Sequence, residues 1–403
     1  SIRITHNMFS ALKIENIIKE LRYFRVSLSK PQYGHFIVYI FGLIIKEKTK
    51  KNIMVLSGLR IGERCQSSLN RFLTSPKWSR YTINNKRKRL LIKRPKGILI
   101  LDDTLIEKIG NKIEGVGRLK DFVKKRSLWC HCIVSTYLVN EHEKHPLDFR
   151  IYLKEEIAQK LKKPFKTKIT LASELILEAY KTIEIDFVVM DAWYFANDLI
   201  KQFKVLGIDW ITRAKSNRLV RYNDQWISLN TLTTKIPRIC YSRRWIKTNE
   251  GIEYYYVYSI VLQMKKVGKV KIVISYKDLY DCDDKPYFLV TNLIDLTPKE
   301  IIENYKKRGL IEAFYRDTKQ HLGLGDYQMR KLEGVVTHLH LVFLAYSLLE
   351  NARLDLESKI MDTLKTVGDL CRAVKELLLD HILYLTSNTI LTNQTFAYKC
   401  LLG

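Results

Sequence analysis

Residues 97–104 read Gly97-Ile98-Leu99-Ile100-Leu101-Asp102-Asp103-Thr104. Four consecutive apolar residues that stop at two acids fit a strand buried on both faces, with its end reaching solvent. A second stretch, Ile185 to Met190, ends the same way in Asp191. Between and around them, Leu128 to Val139 and Leu147 to Leu153 read as further strands, joined by a short His145-Pro146 turn. Helical pattern fills Ile157 to Leu161, Leu171 to Thr182 and about Tyr194 to Val205, and Ile208 to Thr212 is another strand. Three early strands followed by strands alternating with helices predict a mixed α/β sheet beginning at residue 98.

The flanks have other textures. Residues 1–97 read as helical and basic. Ile14 to Leu28 and Gly34 to Ile45 have helical lengths and are separated by Ser29-Lys30-Pro31. Then come Ile53-Met54-Val55-Leu56, a Ser57-Gly58 turn, and Gly62 to Leu73, which fit either a helix-turn-helix or an ordinary helical hairpin. Lys86-Arg87-Lys88-Arg89 and Lys93-Arg94 read as a basic linker ending at Pro95. From Arg218 to Asn292 the chain is β-branched and aromatic, with strands at Tyr254 to Leu262, Val270 to Tyr276 and Tyr287 to Thr291. Thr297 and Pro298 then cap one long helix, Pro298 to His321, and the chain from Val335 onward is mostly helical.

Charge narrows the class of function. The 403 residues hold 69 Lys and Arg against 42 Asp and Glu, a net +27. Residues 1–97 alone hold 22 against 4, with no Asp, a net +18. An excess this large and this clustered repels itself unless a polyanion neutralises it, which points to nucleic acid. Seven cysteines, an odd count in a long chain, argue against a disulfide framework and for buried thiols in a reducing cytoplasm. Cys130-His131-Cys132 has the alternating spacing of a strand rather than the wider spacing of a zinc site. His131 reads as a core histidine, and Gly115 and Gly117 as a hairpin turn. No signal peptide is expected at the start, and the apolar stretch His35 to Ile45 is too short to span a membrane.

Acids at the ends of two core strands suit metal-dependent phosphodiester chemistry, which needs carboxylates converging on one point. Mg²⁺ takes a few carboxylates together with water and substrate phosphate. On an uninterrupted helix, Tyr305, Arg308, Glu312 and Lys319 fall within an arc of roughly 60°. There Glu312 would hold metal and the cations phosphate, although an exposed Arg308–Glu312 pair reads equally as a solvated contact. Arg213, Lys215, Arg218 and Arg221 follow a core strand and could line a DNA channel.

The spacing Tyr305-x2-Arg308-x3-Glu312-x6-Lys319 resembles the Tyr-Arg-Glu-Lys signature of a large family of prokaryotic insertion-sequence transposases with a DDE motif. Leu101-Asp102-Asp103-Thr104 is similar to that family's first catalytic strand and Val189-Met190-Asp191 to its second. A β-rich insertion ahead of the glutamate is another of its features. Ser68-Leu69-Asn70-Arg71-Phe72-Leu73 to Trp78 looks more distantly like the amino-terminal region of related transposases.

The resemblance implies an α/β fold: an RNase H-like catalytic domain with a β-rich insertion, preceded by a helical DNA-binding domain and followed by C-terminal helices. The expected boundaries are 1–97 for the DNA-binding domain and linker, 98–216 and 295–334 for the two parts of the catalytic core, 217–294 for the insertion, and 335–403 for the C-terminal helices. It implies a metal-binding catalytic triad of Asp103, Asp191 and Glu312, with Asp103 preferred over Asp102 because it directly precedes the threonine. Tyr305, Arg308 and Lys319 would contact terminal phosphates, with Arg213 and Lys215 beside the DNA. Tyr287 stands where relatives stack an aromatic ring, in some a tryptophan, on a flipped base.

Implied too are Mg²⁺, with Mn²⁺ able to substitute, and double-stranded DNA as partner, both terminal inverted repeats and target. The resemblance further implies a homodimer on paired ends, no membrane association, and a cytoplasmic, nucleoid-associated location. Two rivals stay open: an RNase H-like nuclease without strand transfer, and a non-catalytic DNA-binding protein of transposase origin.

Overall fold

A computed structural model describes residues 14–46, 50–58, 65–75, 77–121, 124–248, 251–356, 364 and 366–392. Its centre is β1 (Lys96–Glu107), flanked by β3 (Arg126–Val139) running antiparallel and β5 (Glu184–Met190) running parallel. The far edge of β3 is shared by β2 (Gly117–Asp121) and β4 (Lys144–Tyr152), and β6 (Trp210–Arg213) continues the parallel side beyond β5. The strand order β4-β3-β1-β5-β6 therefore combines an antiparallel meander with two parallel additions.

The residues between β6 and the long helical segment extend this same sheet. They form β7 (Leu219–Tyr222), β8 (Gln225–Ser228), β9 (Ser242–Thr248), β10 (Gly251–Met264), β11 (Gly268–Tyr276) and β12 (Tyr287–Thr291). Strand β12 pairs antiparallel with β6, so the β-rich part is hydrogen-bonded to the central strands. Among the described residues one sheet of twelve strands results.

The pleat divides the sheet into two faces with separate cores. Ile98, Ile100, Val189 and Ile211 belong to one, and Leu99, Leu101, Val188, Met190 and Trp210 to the other. The second face is covered by α7 (Lys168–Tyr180) and α8 (Asn197–Leu206), with α6 (Glu155–Lys160) before them and α9 (Leu229–Lys235) under the insertion. The first face carries both ends of the chain. These are α1 (Ile14–Arg22), α2 (Lys30–Ile45), α3 (Ile53–Ser57), α4 (Gln66–Thr74) and α5 (Arg80–Leu91), then α10 (Pro298–Lys306), α11 (Gly309–His321), α12 (Leu332–Leu354) and α13 (Val367–Thr392). Among the described residues α12 is long and apolar enough to cross a membrane, but 89% of its most apolar window is buried in this core.

Several expectations change. The first helix stops at Arg22 rather than Leu28, and Ser29, between the two helices as expected, caps α2, with Gln32 closing a capping box and Lys30 and Pro31 already in its first turn. The expected Ser57-Gly58 turn between the two short amino-terminal helices falls at the end of α3, where Gly58 is the C-cap. Residues 59–64, which include the expected start of the next helix at Gly62, lie outside the described residues. Leu56, Leu69, Phe72 and Leu73 of that pair sit in the same core as the sheet. The run Lys86 to Arg89 is no linker but the end of α5. Arg87 is fully buried and donates to the carbonyls of Pro146 and Leu147, 2.6 Å each, and to the Ser347 hydroxyl at 3.0 Å. Its charge therefore serves the fold, at a desolvation cost that pulls its pKa down to about 10.

The helix from Pro298 to His321 is broken at Lys307–Arg308. There the amides of Lys307, Arg308 and Leu310 bond three residues back rather than four. Three adjacent cations followed by Gly309, a weak helix former, account for the break.

Candidate active site

Residue parity on β1 decides which acids meet. Leu101 pairs with Met190 in the parallel register, so Asp102 and Asp191 follow side by side. Asp191 stands just past the end of β5, whereas Asp102 lies inside β1, which runs on to Glu107 rather than stopping at the acids as the sequence suggested. Both continue the series of Ile100 and Val189 and share the face covered by α10 and α11. Asp103, one residue on, continues the series of Leu99 and Leu101 and points to the opposite face.

On the α11 face, Arg308 ties the acids together. Its guanidinium donates to Asp102 at 2.8 Å and to Glu312 one turn along the helix. Burial and the neighbouring Asp103 and Glu312 charges push the Asp102 carboxyl up to about 7, against the pull of Arg308. Burial works against the Arg308 charge, but Asp102, Tyr305, Glu312 and Asp191 outweigh it and raise its pKa. Lys319 donates to the Thr104 hydroxyl at 2.7 Å, two residues from Asp102 on the same face. The Tyr315 hydroxyl donates to the Asp102 carbonyl at 3.1 Å and lies 2.7 Å from Ser135. Despite the helix break, Tyr305, Arg308 and Glu312 line one cavity, while Lys319 stands farther along at Thr104.

A cavity of about 440 Å³ opens beside it, lined by Tyr255, Tyr287, Tyr305, Lys277, Arg308 and Glu312 among others. Tyr287 meets Tyr305 edge-on at 6.1 Å, and the Arg213 guanidinium lies 4.3 Å over the Tyr287 ring. Lys215 is exposed. Arg218 instead covers Phe195 and bonds its carbonyl, and Arg221 pairs with Asp224, so these two serve local structure.

On the opposite face Asp103 is fully engaged. Its carboxylate accepts from Lys168 at 2.7 Å and Tyr194 at 2.8 Å, with the Cys132 thiol 3.3 Å away. Lys168 opens α7 and Tyr194 lies three residues after Asp191, so one carboxylate joins β1, β3, α7 and the loop after β5. His131 is a core residue, bonded to the Tyr327 hydroxyl and the Glu114 carbonyl, its pKa pulled down to about 4 by burial. Gly115 holds a left-handed turn with a φ of 84°, where an added Cβ would crowd Leu332 and Leu153.

The donors on the α11 face are hard oxygens, as Mg²⁺ prefers, and Asp102 is a nearly buried carboxylate paired with Arg308. That chemistry fits a divalent cation. Among the described residues no three His, Cys, Asp or Glu side chains are gathered closely enough to hold one. Arg308 pairs with both Asp102 and Glu312. Sequence reasoning ranked Asp102 second to Asp103 and did not single out Tyr315, Lys168 or Tyr194. The two-residue spacing of Asp102 and Thr104 was the available signal for Asp102.

Two comparisons bear on this site. The family described as "Transposase DDE domain" matches residues 93–348, which span β1, the insertion, α11 and most of α12. A protein of Microchaete diplosiphon described as "probable transposase for insertion sequence element IS701" is 24% identical over 298 residues, covering 71% of this chain and 73% of its own length.

Proposed function

The chain belongs to the family of transposase DDE domains, and from that premise we propose a cut-and-paste DNA transposase. Its carboxylates would be Asp102, Asp191 and Glu312, with Asp103 holding the strand from behind. The observation that carries this reading is the shared face of Asp102 and Asp191 beneath Arg308 and Glu312. The order β4-β3-β1-β5-β6, with its antiparallel and parallel halves, supports the RNase H-like description. The basic amino-terminal residues are proposed to bind duplex DNA, the inverted repeats and the target, in a homodimer on paired ends within the cytoplasm.

Bound at these carboxylates, Mg²⁺ would polarise the scissile phosphate and activate the attacking oxygen. The chain's own residues do the rest. Arg308 gives up its carboxylates and grips a phosphate, for which its two-pronged guanidinium is suited. Lys319, held at Thr104, faces the same phosphate. Tyr287 offers its ring to an unpaired terminal base, which must take the side opposite Arg213 or displace that guanidinium. Tyr315 fixes the Asp102 backbone.

The test is end joining. Labelled inverted-repeat DNA, target plasmid and Mg²⁺ should give 3′-end cleavage followed by covalent joining to the plasmid. Cleavage without joining would overturn strand transfer, and neither product would overturn catalysis.

A further inference from the structure

The outer hairpin of the insertion, β9 with β10, carries a row in which cations alternate with aromatic rings. The Lys299 ammonium, at the start of α10, lies 3.0 Å from the centre of the Trp245 ring. Trp245 stands opposite Tyr254 across the ladder, and the Arg243 guanidinium lies 4.5 Å over the Tyr254 ring. Arg243 in turn stands opposite Tyr256, which meets Tyr280 edge-on at 6.0 Å, and Arg238 lies 5.7 Å over Tyr280. Residues opposite each other on an antiparallel ladder share a face, so these contacts form one continuous row.

The row is not core. Trp245, Tyr254 and Tyr280 are 51%, 54% and 64% exposed. The alternate residues of the same strands, Ile246 and Val257, are the buried ones, and Glu253 turns with them to meet Lys306. Carboxylates stand at both ends of the row: Glu303 lies 3.9 Å from Lys299, and Asp278 accepts from the Tyr280 amide at 2.9 Å. Large rings left in water beside the Arg243 guanidinium and the Lys299 ammonium mark a binding surface, and those charges call for a polyanion. Ring faces can stack only on bases whose own faces are free, which a duplex hides.

We propose that this row is a platform for single-stranded DNA, feeding unpaired nucleotides toward the candidate active site. It rests on the transposase reading for its ligand. Lys299, which meets Trp245, opens α10, and the far end of that helix carries Tyr305 beside the cleft. The row lies on the face of the hairpin opposite Tyr255, so a strand on it reaches the cleft around the β9 edge.

The experiment titrates the full chain with an oligothymidylate and, separately, a duplex of equal length, following tryptophan emission and anisotropy. The single strand should quench emission, and Trp245→Phe should remove that component. Trp245→Ala with Tyr254→Ala should weaken single-strand binding roughly tenfold or more while changing duplex binding less than twofold. Arg243→Ala, an exposed site that leaves the rings in place, should weaken single-strand binding and flatten its salt dependence. Single-strand affinity unchanged in the double variant and in Arg243→Ala, or duplex affinity lost in equal measure, overturns the platform. Wild-type end joining, run alongside, separates the two ideas. Joining with an inert row sinks the platform alone, whereas quenching without cleavage sinks the transposase reading alone.

Discussion

Two neighbouring aspartates on one strand live in opposite chemical worlds. Asp102 faces the cleft, one oxygen on the Asp103 amide and the other on a guanidinium that also serves the half-exposed Glu312. Asp103 faces the inner helices, with a lysine, a tyrosine and a thiol filling its coordination. The first arrangement leaves oxygens that a cation can claim from the guanidinium. The second spends them all on joining four elements. The difference teaches that an acid beside a reactive one can matter through position alone, and that the two roles give different experimental signatures.

The largest expected effect separates the faces directly. Asp102→Asn should slow Mg²⁺-dependent cleavage by roughly 10³-fold, the loss of several kcal/mol of metal-borne stabilisation. Asp103→Asn should slow it by about ten- to a hundredfold, as loss of a supporting contact does. Single-turnover rates on pre-bound ends read both, and the reverse order would erase the distinction.

Next in size is Arg308. Arg308→Ala should cost cleavage about 10²-fold, as removal of a charge-stabilising donor does, while metal-free end binding changes little. Arg308→Lys should recover part of this, because one ammonium cannot span two oxygens. Wild-type cleavage by both Arg308→Ala and Lys319→Ala would reduce the α11 face to a solvated surface.

Stability should show the opposite ranking. Asp103→Asn strands a partly buried Lys168 and should cost about 1–3 kcal/mol, read in denaturant melts. Asp102 carries a carboxyl pushed up to about 7, so the folded chain holds its proton more tightly than the unfolded one. That favours folding at acid pH and is progressively lost as pH rises from the ordinary carboxylate range through about 7. Metal-free Asp102→Asn should therefore gain on the wild type over that window; a constant difference would contradict it.

The smallest effect sharpens the assignment of the rear face. Tyr194→Phe removes one hydrogen bond to Asp103 and should cost about 1 kcal/mol, with cleavage slowed only severalfold. A loss as deep as that of Asp102→Asn would make Tyr194 part of the cleft.

Some of this was written plainly in the chain. The apolar runs before Asp102 and Asp191 announced core strands, and both lie where they were expected, although β1 runs on past its acids to Glu107. The spacing from Tyr305 to Lys319 singled out side chains of which Tyr305, Arg308 and Glu312 line one cavity, even though the helix between them breaks. Cys130 to Cys132 alternated as a strand should, with His131 buried. The run Lys86 to Arg89 misled, because charge in sequence looks the same whether it meets solvent or, as Arg87 does, two buried carbonyls. The β-rich residues from Tyr254 on were legible as strands, but not their union with the central sheet, since the β6–β12 pairing joins residues about eighty positions apart.

By itself, then, the sequence missed the helix at Arg80–Leu91 and the strands from Leu219 to Thr248, but it determined the core strands, most of the helices that cover them, and where the positive charge gathers. Local pattern and composition suffice for that, because each depends on residues close along the chain. Only the tertiary structure decided which of two adjacent acids enters the cleft. A strand buried on both faces is apolar at every position, so its sequence holds no mark of which side is which. The parity is set by the register of Leu101 against Met190 and by the helices that cover each face, contacts made across nearly a hundred residues of intervening chain.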